Sequence, residues 1–241
     1  MWISPRSGVP QNVHIAFSDN VVNFSLGKTS SEALSLQNEL SKRLTADRVC
    51  LLRQIHSNYV VPADPTSVVE ADAHWTAEPN LALVILTADC IPLILCNREG
   101  SLIAAVHCGW RGVAKGIVAT VLSQLPVDPP DLLAFMGPAI CGECYEIGEE
   151  ILPQLQLKHH SRHLTPCLDA GKYLLDLPGL VHSQLTSSGV GHVELSDQCT
   201  FHDSDRYSSH RRTRTNQRQV SCVQIRNGTH TPKKVPSNLV I

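Results

Sequence analysis

Apolar and polar positions fall in short blocks along this chain, and the densest apolar block runs from Leu81 to Gly112. Within it, Leu81–Thr87, Ile91–Cys96 and Leu102–Val106 are too short for typical helices and rich in Val, Ile and Leu, a pattern that predicts buried strands with polar residues at their ends. Between the second and third runs, Asn97-Arg98-Glu99-Gly100 has the turn chemistry of a tight hairpin. A hairpin centred between Arg98 and Glu99 sets Cys90 opposite His107. Directly opposed side chains have Cβ atoms roughly 4.5–5.5 Å apart, near enough for a thiolate and an imidazole to share one metal ion or one proton. Pro92 lacks an N–H and is where a bulge would alter that register.

The flanking pattern is mixed. Val13–Phe17 and Val21–Leu26 read as strands. Thr29-Ser30-Ser31-Glu32 fits a capping box, followed by Ala33, Leu36, Leu40 and Leu44 on one helical face. Val49–Ile55 is predicted as a strand that delivers His56 at its end, where functional side chains commonly sit. Ala71–Thr76, Leu132–Met136, Val193–Leu195 and Val220–Ile225 complete the strands. Val113–Leu125, Tyr145–Leu152 and Tyr173–Ser187 are predicted helices, and residues 227–241 a loosely ordered polar tail. Hairpin-paired strands with segregated helices favour an α+β fold. No linker or repeat divides the chain, so residues 1–241 read as a single catalytic domain.

Composition narrows the function. The chain has 241 residues, 42% of them hydrophobic, with a formal charge of −2, so it can build a sizeable core and has no global attraction to nucleic acid or anionic membrane. The amino-terminal residues have no apolar leader core, and Asp89 interrupts the longest apolar stretch, which predicts a soluble cytoplasmic protein. Nine irregularly spaced cysteines read as reduced thiols rather than a secreted disulfide framework.

His56, Cys90 and His107 form the leading constellation. Two imidazoles and one thiolate leave a fourth tetrahedral position open, as catalytic zinc requires. The alternative is a buried structural thiol beside histidines that satisfy loop carbonyls. Asp89 points away from Cys90 on a regular strand and is suited to orient a loop. Arg111, between glycines at a helix start, and the basic run from Arg206 to Arg218 are candidate anion contacts. Cys141-x-x-Cys144 lacks a second C-x-x-C pair and reads as structural. The stretch from His159 to His163 reads as a solvated loop. No H-x-H pair occurs, which argues against a multicopper centre.

These residues also carry a resemblance. Arg53-Gln54-Ile55-His56, Thr87-Ala88-Asp89-Cys90 with Pro92, Val106-His107-Cys108-Gly109-Trp110-Arg111-Gly112, Gly137-Pro138-Ala139-Ile140 through Tyr145-Glu146, and Cys199-Thr200 with Arg211-Arg212 resemble the motifs of the laccase-domain, or multicopper polyphenol oxidase, family. Members are regarded as purine nucleoside phosphorylases, and the resemblance spans roughly residues 10–225. It implies a four-layer α/β/β/α sandwich with mixed sheets, and zinc, or less favourably copper, on His56, Cys90 and His107, which would also be the catalytic residues. Arg53, Asp89, Arg111, Arg211 and Arg212 would be the substrate-binding residues. The implied activity is phosphorolysis of adenosine, inosine, guanosine and methylthioadenosine, with adenosine deamination at the same site. Purine nucleosides and phosphate are then the partners. A cysteine-dependent amidase acting on cell-wall precursors, using Cys90 and His107 without metal, is one alternative, and a copper-dependent polyphenol oxidase is a second, disfavoured one. The chain departs from the family pattern at Cys108, at Cys141, at Asn38-Glu39 and at Ser57, which could tighten the entrance.

Overall fold

The computed structural model describes residues 2–19, 29–155 and 161–226. In chain order its elements are β1 (Trp2–Ile3), β2 (Val13–Ser18), α1 (Ser30–Leu44), β3 (Arg48–Cys50), β4 (Leu52–Arg53), β5 (Val60–Pro62), β6 (Val69–Glu70), β7 (Ala73–Thr76), β8 (Leu81–Thr87), β9 (Ile91–Asn97) and β10 (Ile103–Cys108). There follow α2 (Trp110–Ala114), α3 (Ile117–Gln124), β11 (Leu132–Met136), β12 (Glu146–Gly148), β13 (Leu164–Pro166), β14 (Lys172–Leu175), α4 (Leu177–Ser187), β15 (His192–Leu195), α5 (His210–Thr213) and β16 (Gln219–Ile225). One sheet has the order β1-β2-β16-β8-β3 and a second β15-β11-β9-β10-β7-β5; β12-β14-β13 and β4-β6 form small ones. Both large sheets mix parallel and antiparallel pairs. The expected strand at Val21–Leu26, His159, His160 and the 227–241 tail lie outside the described residues.

Alternation along the central strands distributes the side chains among three cores. Along β8, Leu81, Leu83 and Ile85 enter the core between the sheets, while Ala82, Val84 and Leu86 meet Leu36, Leu40 and Leu44 of α1. Along β9 and β10, Ile94, Cys96, Ile103 and Ala105 face that same inter-sheet core. Leu93, Leu95, Ala104 and Val106 face outward onto Val118 and Val121 of α3 and Leu180, Val181 and Leu185 of α4. The resulting order of helix, sheet, sheet and helices is the four-layer sandwich. Strands covered on both faces read as unbroken apolar runs, and that is the pattern of Leu81–Leu86, Ile91–Cys96 and Leu102–Val106.

The hairpin corrects the expected register. His107 lies opposite Pro92, not Cys90, a shift of two residues. The Asn97 side chain causes it: its Oδ1 accepts from the backbone N–H of Ser101 and Leu102 at 2.8 and 2.9 Å, and the Asn97 N–H donates to the Leu102 carbonyl, so the turn is Arg98 to Ser101. An even shift keeps every side chain on its face, and Cys90 remains beside His107 from the turn before β9.

Three predicted helices also change. Val113–Leu125 is broken into α2 and α3 by Gly116, which takes φ +84°, a left-handed conformation. Tyr145–Leu152 becomes β12 and a 3₁₀ segment, Glu149–Leu155. Tyr173–Ser187 is a strand followed by a helix, because Asp176 caps α4 by accepting from the Gly179 N–H at 2.9 Å, with Pro178 in the first turn. The capping box at Thr29 and Glu32 forms as expected. No helix among the described residues is long and apolar enough to cross a membrane.

His74 on β7 is fully buried, and neither ring nitrogen completes a hydrogen bond; the Val84 backbone is the polar group it faces. Burial lowers its pKa to about 3. The unfolded chain takes up this proton below pH ~6.5 and the folded chain does not, so stability present above that value is lost as pH falls, by up to about 1.4 kcal/mol per pH unit. Urea unfolding at neutral and mildly acidic pH should show His74→Leu with a flatter acid slope than the parent. An unchanged slope would show that other groups govern acid lability.

Candidate active site

The site forms where three chain segments meet at the edge of the inter-sheet core. His56 follows β4, Cys90 lies on the passage from β8 to β9, and His107 is on β10. Their ligand atoms all lie within 4.8 Å of one another. The His56 and His107 rings stand nearly perpendicular, at 77°, with centroids 4.8 Å apart, and His56 Nε2 is 4.0 Å from Cys90 Sγ. His107 is buried; His56 and Cys90 are half-buried, so the cluster has one open side.

Asp72, which sequence reading missed, organises the set. Its carboxylate, fully buried, accepts from the backbone N–H groups of Ile55, His56 and Ser57, from Ser57 Oγ at 2.7 Å and from His107 Nδ1 at 2.8 Å. The first three hold the His56 turn, where φ is +57°, a strained value for a residue with a side chain. The last leaves His107 Nε2 as the atom presented to the cluster. Ser57 is buried beneath the site as a donor to Asp72, so it does not narrow the entrance. The signal in the sequence was a carboxylate between Ala71 and Ala73 within a predicted strand.

Electrostatics follow from this packing. Burial alone raises the Cys90 thiol, but His107, by charge and hydrogen bond, and His56 outweigh it and hold it below its ordinary value. Burial alone lowers His107, while the Cys90 thiolate and Asp72 raise it. Burial likewise raises Asp72, and the hydrogen bonds from His107 and Ser57 bring it down to about 2. A thiolate beside an imidazolium is the favoured state of the unligated pair. Neighbouring Cys108 points into the outer core, where burial keeps its thiol neutral.

The donor set fits a zinc ion: two imidazoles and a thiolate converge, with a hydrogen-bonded carboxylate behind one imidazole. The backbone leaves room for them at Gly109, where a Cβ would sit 2.8 Å from the His56 ring and 3.1 Å from Cys90 Sγ, and at Gly112, where it would sit 2.7 Å from the Ser57 carbonyl.

The other expected site residues divide. Asp89 (φ +84°) accepts from Thr200 Oγ1 at 2.7 Å and from the Arg211 backbone N–H at 2.6 Å, tying the Cys90 passage to α5. Arg111 stacks on Trp110 at 4.4 Å, and Arg211 lies 5.0 Å over the Tyr145 ring. Tyr145 is the common neighbour: burial raises its hydroxyl, Cys90 and Asp89 raise it further, and Arg211 and Arg111 oppose them. Arg212 donates to the carbonyls of Thr200, Phe201 and Tyr207, bracing its own loop. Arg53 is at the end of β4, its carbonyl accepting from Ala71. Glu39 pairs with Arg43 along α1, on the far side of the first sheet. His163 is buried against Ser183 rather than solvated.

Residues 17–226 match the profile of the family described as multi-copper polyphenol oxidoreductase laccase. A Pseudomonas aeruginosa protein named purine nucleoside phosphorylase is 36% identical over 192 residues, covering 78% of this chain and 79% of that protein. The Escherichia coli protein named purine nucleoside phosphorylase YfiH is 31% identical over 176 residues, 72% of each chain. The crystal structure of a Neisseria meningitidis protein of the DUF152 family superposes with a TM-score of 0.86 at 26% identity, covering 94% of this chain and 99% of that one. The chain belongs to the multi-copper polyphenol oxidoreductase laccase family, an enzyme family in which its curated relatives are named purine nucleoside phosphorylases.

Proposed function

We propose that this protein is a zinc-dependent purine nucleoside phosphorylase that acts on adenosine, inosine, guanosine and methylthioadenosine, and that the same site deaminates adenosine. The observation that carries the reading is the convergence of His56, Cys90 and His107 around an open side, with Asp72 fixing one imidazole. A zinc ion held by these three residues would supply Lewis acidity at the open position. His107, anchored at Nδ1, keeps Nε2 directed to the centre, and the depressed thiol pKa of Cys90 suits it to bind as thiolate. Arg111 and Arg211, both charged neighbours of Tyr145, would hold the phosphate oxygens, and Arg212 positions the loop that carries Arg211. In the reaction the glycosidic C–N bond breaks as the ribose carbon bonds to a phosphate oxygen, and the purine leaves with the bonding pair and gains a proton. Free thiols suit a reducing, cytoplasmic setting.

The copper-oxidase reading is disfavoured by donor inventory. Among the described residues two clusters of His, Cys, Asp or Glu could hold a metal, and neither is the many-histidine centre that such chemistry uses. One observation does favour a second reading: Cys90, His107 and Asp72 are also arranged as nucleophile, base and orienting acid, as in a cysteine-dependent amidase. His56 facing the same sulfur favours the metal.

The test is adenosine incubated with the purified protein, with and without phosphate. Adenine and ribose 1-phosphate are expected only with phosphate, and inosine under both conditions. Adenine release indifferent to phosphate would mean hydrolysis, and no purine chemistry at all would favour the amidase. Arg111→Ala and Arg211→Ala should each raise the KM for phosphate roughly 10- to 100-fold, the size of a lost charge-assisted hydrogen bond, with a smaller effect on the KM for adenosine. Unchanged phosphate dependence in both variants would remove the arginines from the phosphate site.

A further inference from the structure

A second cluster of metal-ligating side chains lies outside the site just described. Cys141 and Cys144 come from the loop between β11 and β12, and Cys199 and His202 from the loop between β15 and α5. Cys144 and His202 are 58 positions apart in sequence, yet Cys144 Sγ is 3.0 Å from His202 Nε2, and Cys141 Sγ is 4.0 Å from the other ring nitrogen. All four ligand atoms lie within 4.8 Å of one another. Zn–S bonds near 2.3 Å put the sulfurs of a tetrahedral site roughly 3.8 Å apart, so the thiols need only close slightly. The two loops are joined at their bases by a bridge between Ala139 and Cys199.

The backbone around Cys199 is arranged for a thiolate. The Cys141 N–H donates to Cys199 Sγ at 3.3 Å, and the N–H groups of Phe201 and His202 face the same sulfur. The Cys144 N–H closes a turn on the Cys141 carbonyl, bringing the two C-x-x-C thiols to one side. Cys199 is buried, Cys141 and Cys144 half-buried, and His202 closes the solvent side. Three thiols and one imidazole complete a tetrahedron, the mark of a structural zinc site rather than one that keeps a position for substrate.

We infer that Cys141, Cys144, Cys199 and His202 bind a second, structural zinc ion that ties the loop bearing Tyr145 to the loop leading to Arg211. Its consequence is mechanical. Asp89 already ties both loops to the Cys90 passage, its carboxylate accepting from Thr200 and Arg211 and its carbonyl from the Ile140 N–H, and the ion locks the same assembly from its outer side. The inference does not depend on the purine reading.

Metal analysis of the full chain purified without chelator tests it. About two zinc ions per chain are expected in the parent, about one in Cys90→Ala and about one in Cys144→Ser, with the double variant nearly metal-free. A parent with about one zinc, all of it lost in Cys90→Ala, would overturn the assignment. So would an intact mass lowered by the two hydrogens of a disulfide among Cys141, Cys144 and Cys199. If Cys144→Ser does not fold, cobalt titration of Cys90→Ala, which keeps the second cluster whole, decides alone. It should give thiolate-to-cobalt charge-transfer absorption and tetrahedral d–d bands that saturate near one equivalent, and their absence would overturn the proposal.

Discussion

Replacing Cys90 with alanine is expected to remove the metal of the His56, Cys90 and His107 cluster and to lower adenosine phosphorolysis about 10³-fold. The size follows from the several kcal/mol that Lewis-acid stabilisation contributes at about 1.4 kcal/mol per decade of rate. The fold should survive, because Cys90 is half-buried on a connecting turn and fills no core position. Zinc content, initial rates with phosphate and circular dichroism together check this. A variant that retained full zinc at this cluster would show the ligand assignment to be wrong. Alkylation of the parent adds a discriminating measurement. A zinc-bound thiolate reacts sluggishly until a chelator strips the ion, whereas a free nucleophilic thiolate reacts at once and ignores the chelator. Fast alkylation with parallel loss of activity, indifferent to chelator, would favour the amidase.

Asp72→Asn should be the most damaging isosteric change in the molecule. The carboxylate accepts five hydrogen bonds, from three backbone amides, one hydroxyl and one imidazole, in a fully buried position. An amide has one acceptor oxygen, so its NH₂ must face donors, and His107 loses the partner that fixes its tautomer. Breaking a buried charge pair from one side costs about 3–5 kcal/mol, and loss of a carboxylate behind a metal-binding imidazole weakens metal affinity about 10- to 100-fold. Urea unfolding at neutral pH and zinc competition with a chromogenic chelator measure the two effects separately. A stability loss below about 1 kcal/mol with unchanged zinc affinity would mean that the backbone, not Asp72, holds His56 and His107 in place.

The strands were legible because most were marked by composition alone. Leu81–Thr87 and Leu132–Met136 form over the residues predicted, since a strand covered on both faces leaves an uninterrupted apolar run. The helices of the second half were less legible. Tyr173 to Leu175 suits a strand or a helix, and the Asp176 cap with Pro178 decides between them only when Asp176 is read as a start signal. The hairpin register failed on one side chain, because Asn97 turns its amide inward and lengthens the loop. His56, Cys90 and His107 were found because their residue types narrow the chemistry. Asp72, Tyr145 and the pairing of Cys144 with His202 were not, since they become neighbours only after β7, β10 and the two long loops have assembled. A search for a second C-x-x-C also missed that the matching half is Cys199-x-x-His202.

β8 leaves the first sheet at Thr87 and β9 enters the second at Ile91, so Ala88, Asp89 and Cys90 are the whole connection, with Asp89 held in a left-handed conformation by groups from α5 and its preceding loop. So short a tether has almost no slack, and the sheets cannot part without pulling it straight. Opening of β8 and of β9 is therefore one event rather than two, a single cooperative unit in the sense that amide exchange detects. The slowest-exchanging amides of both sheets should decay on a common clock, and the accessibility of Cys90 to a thiol reagent in metal-stripped protein should report how often the whole sandwich breathes.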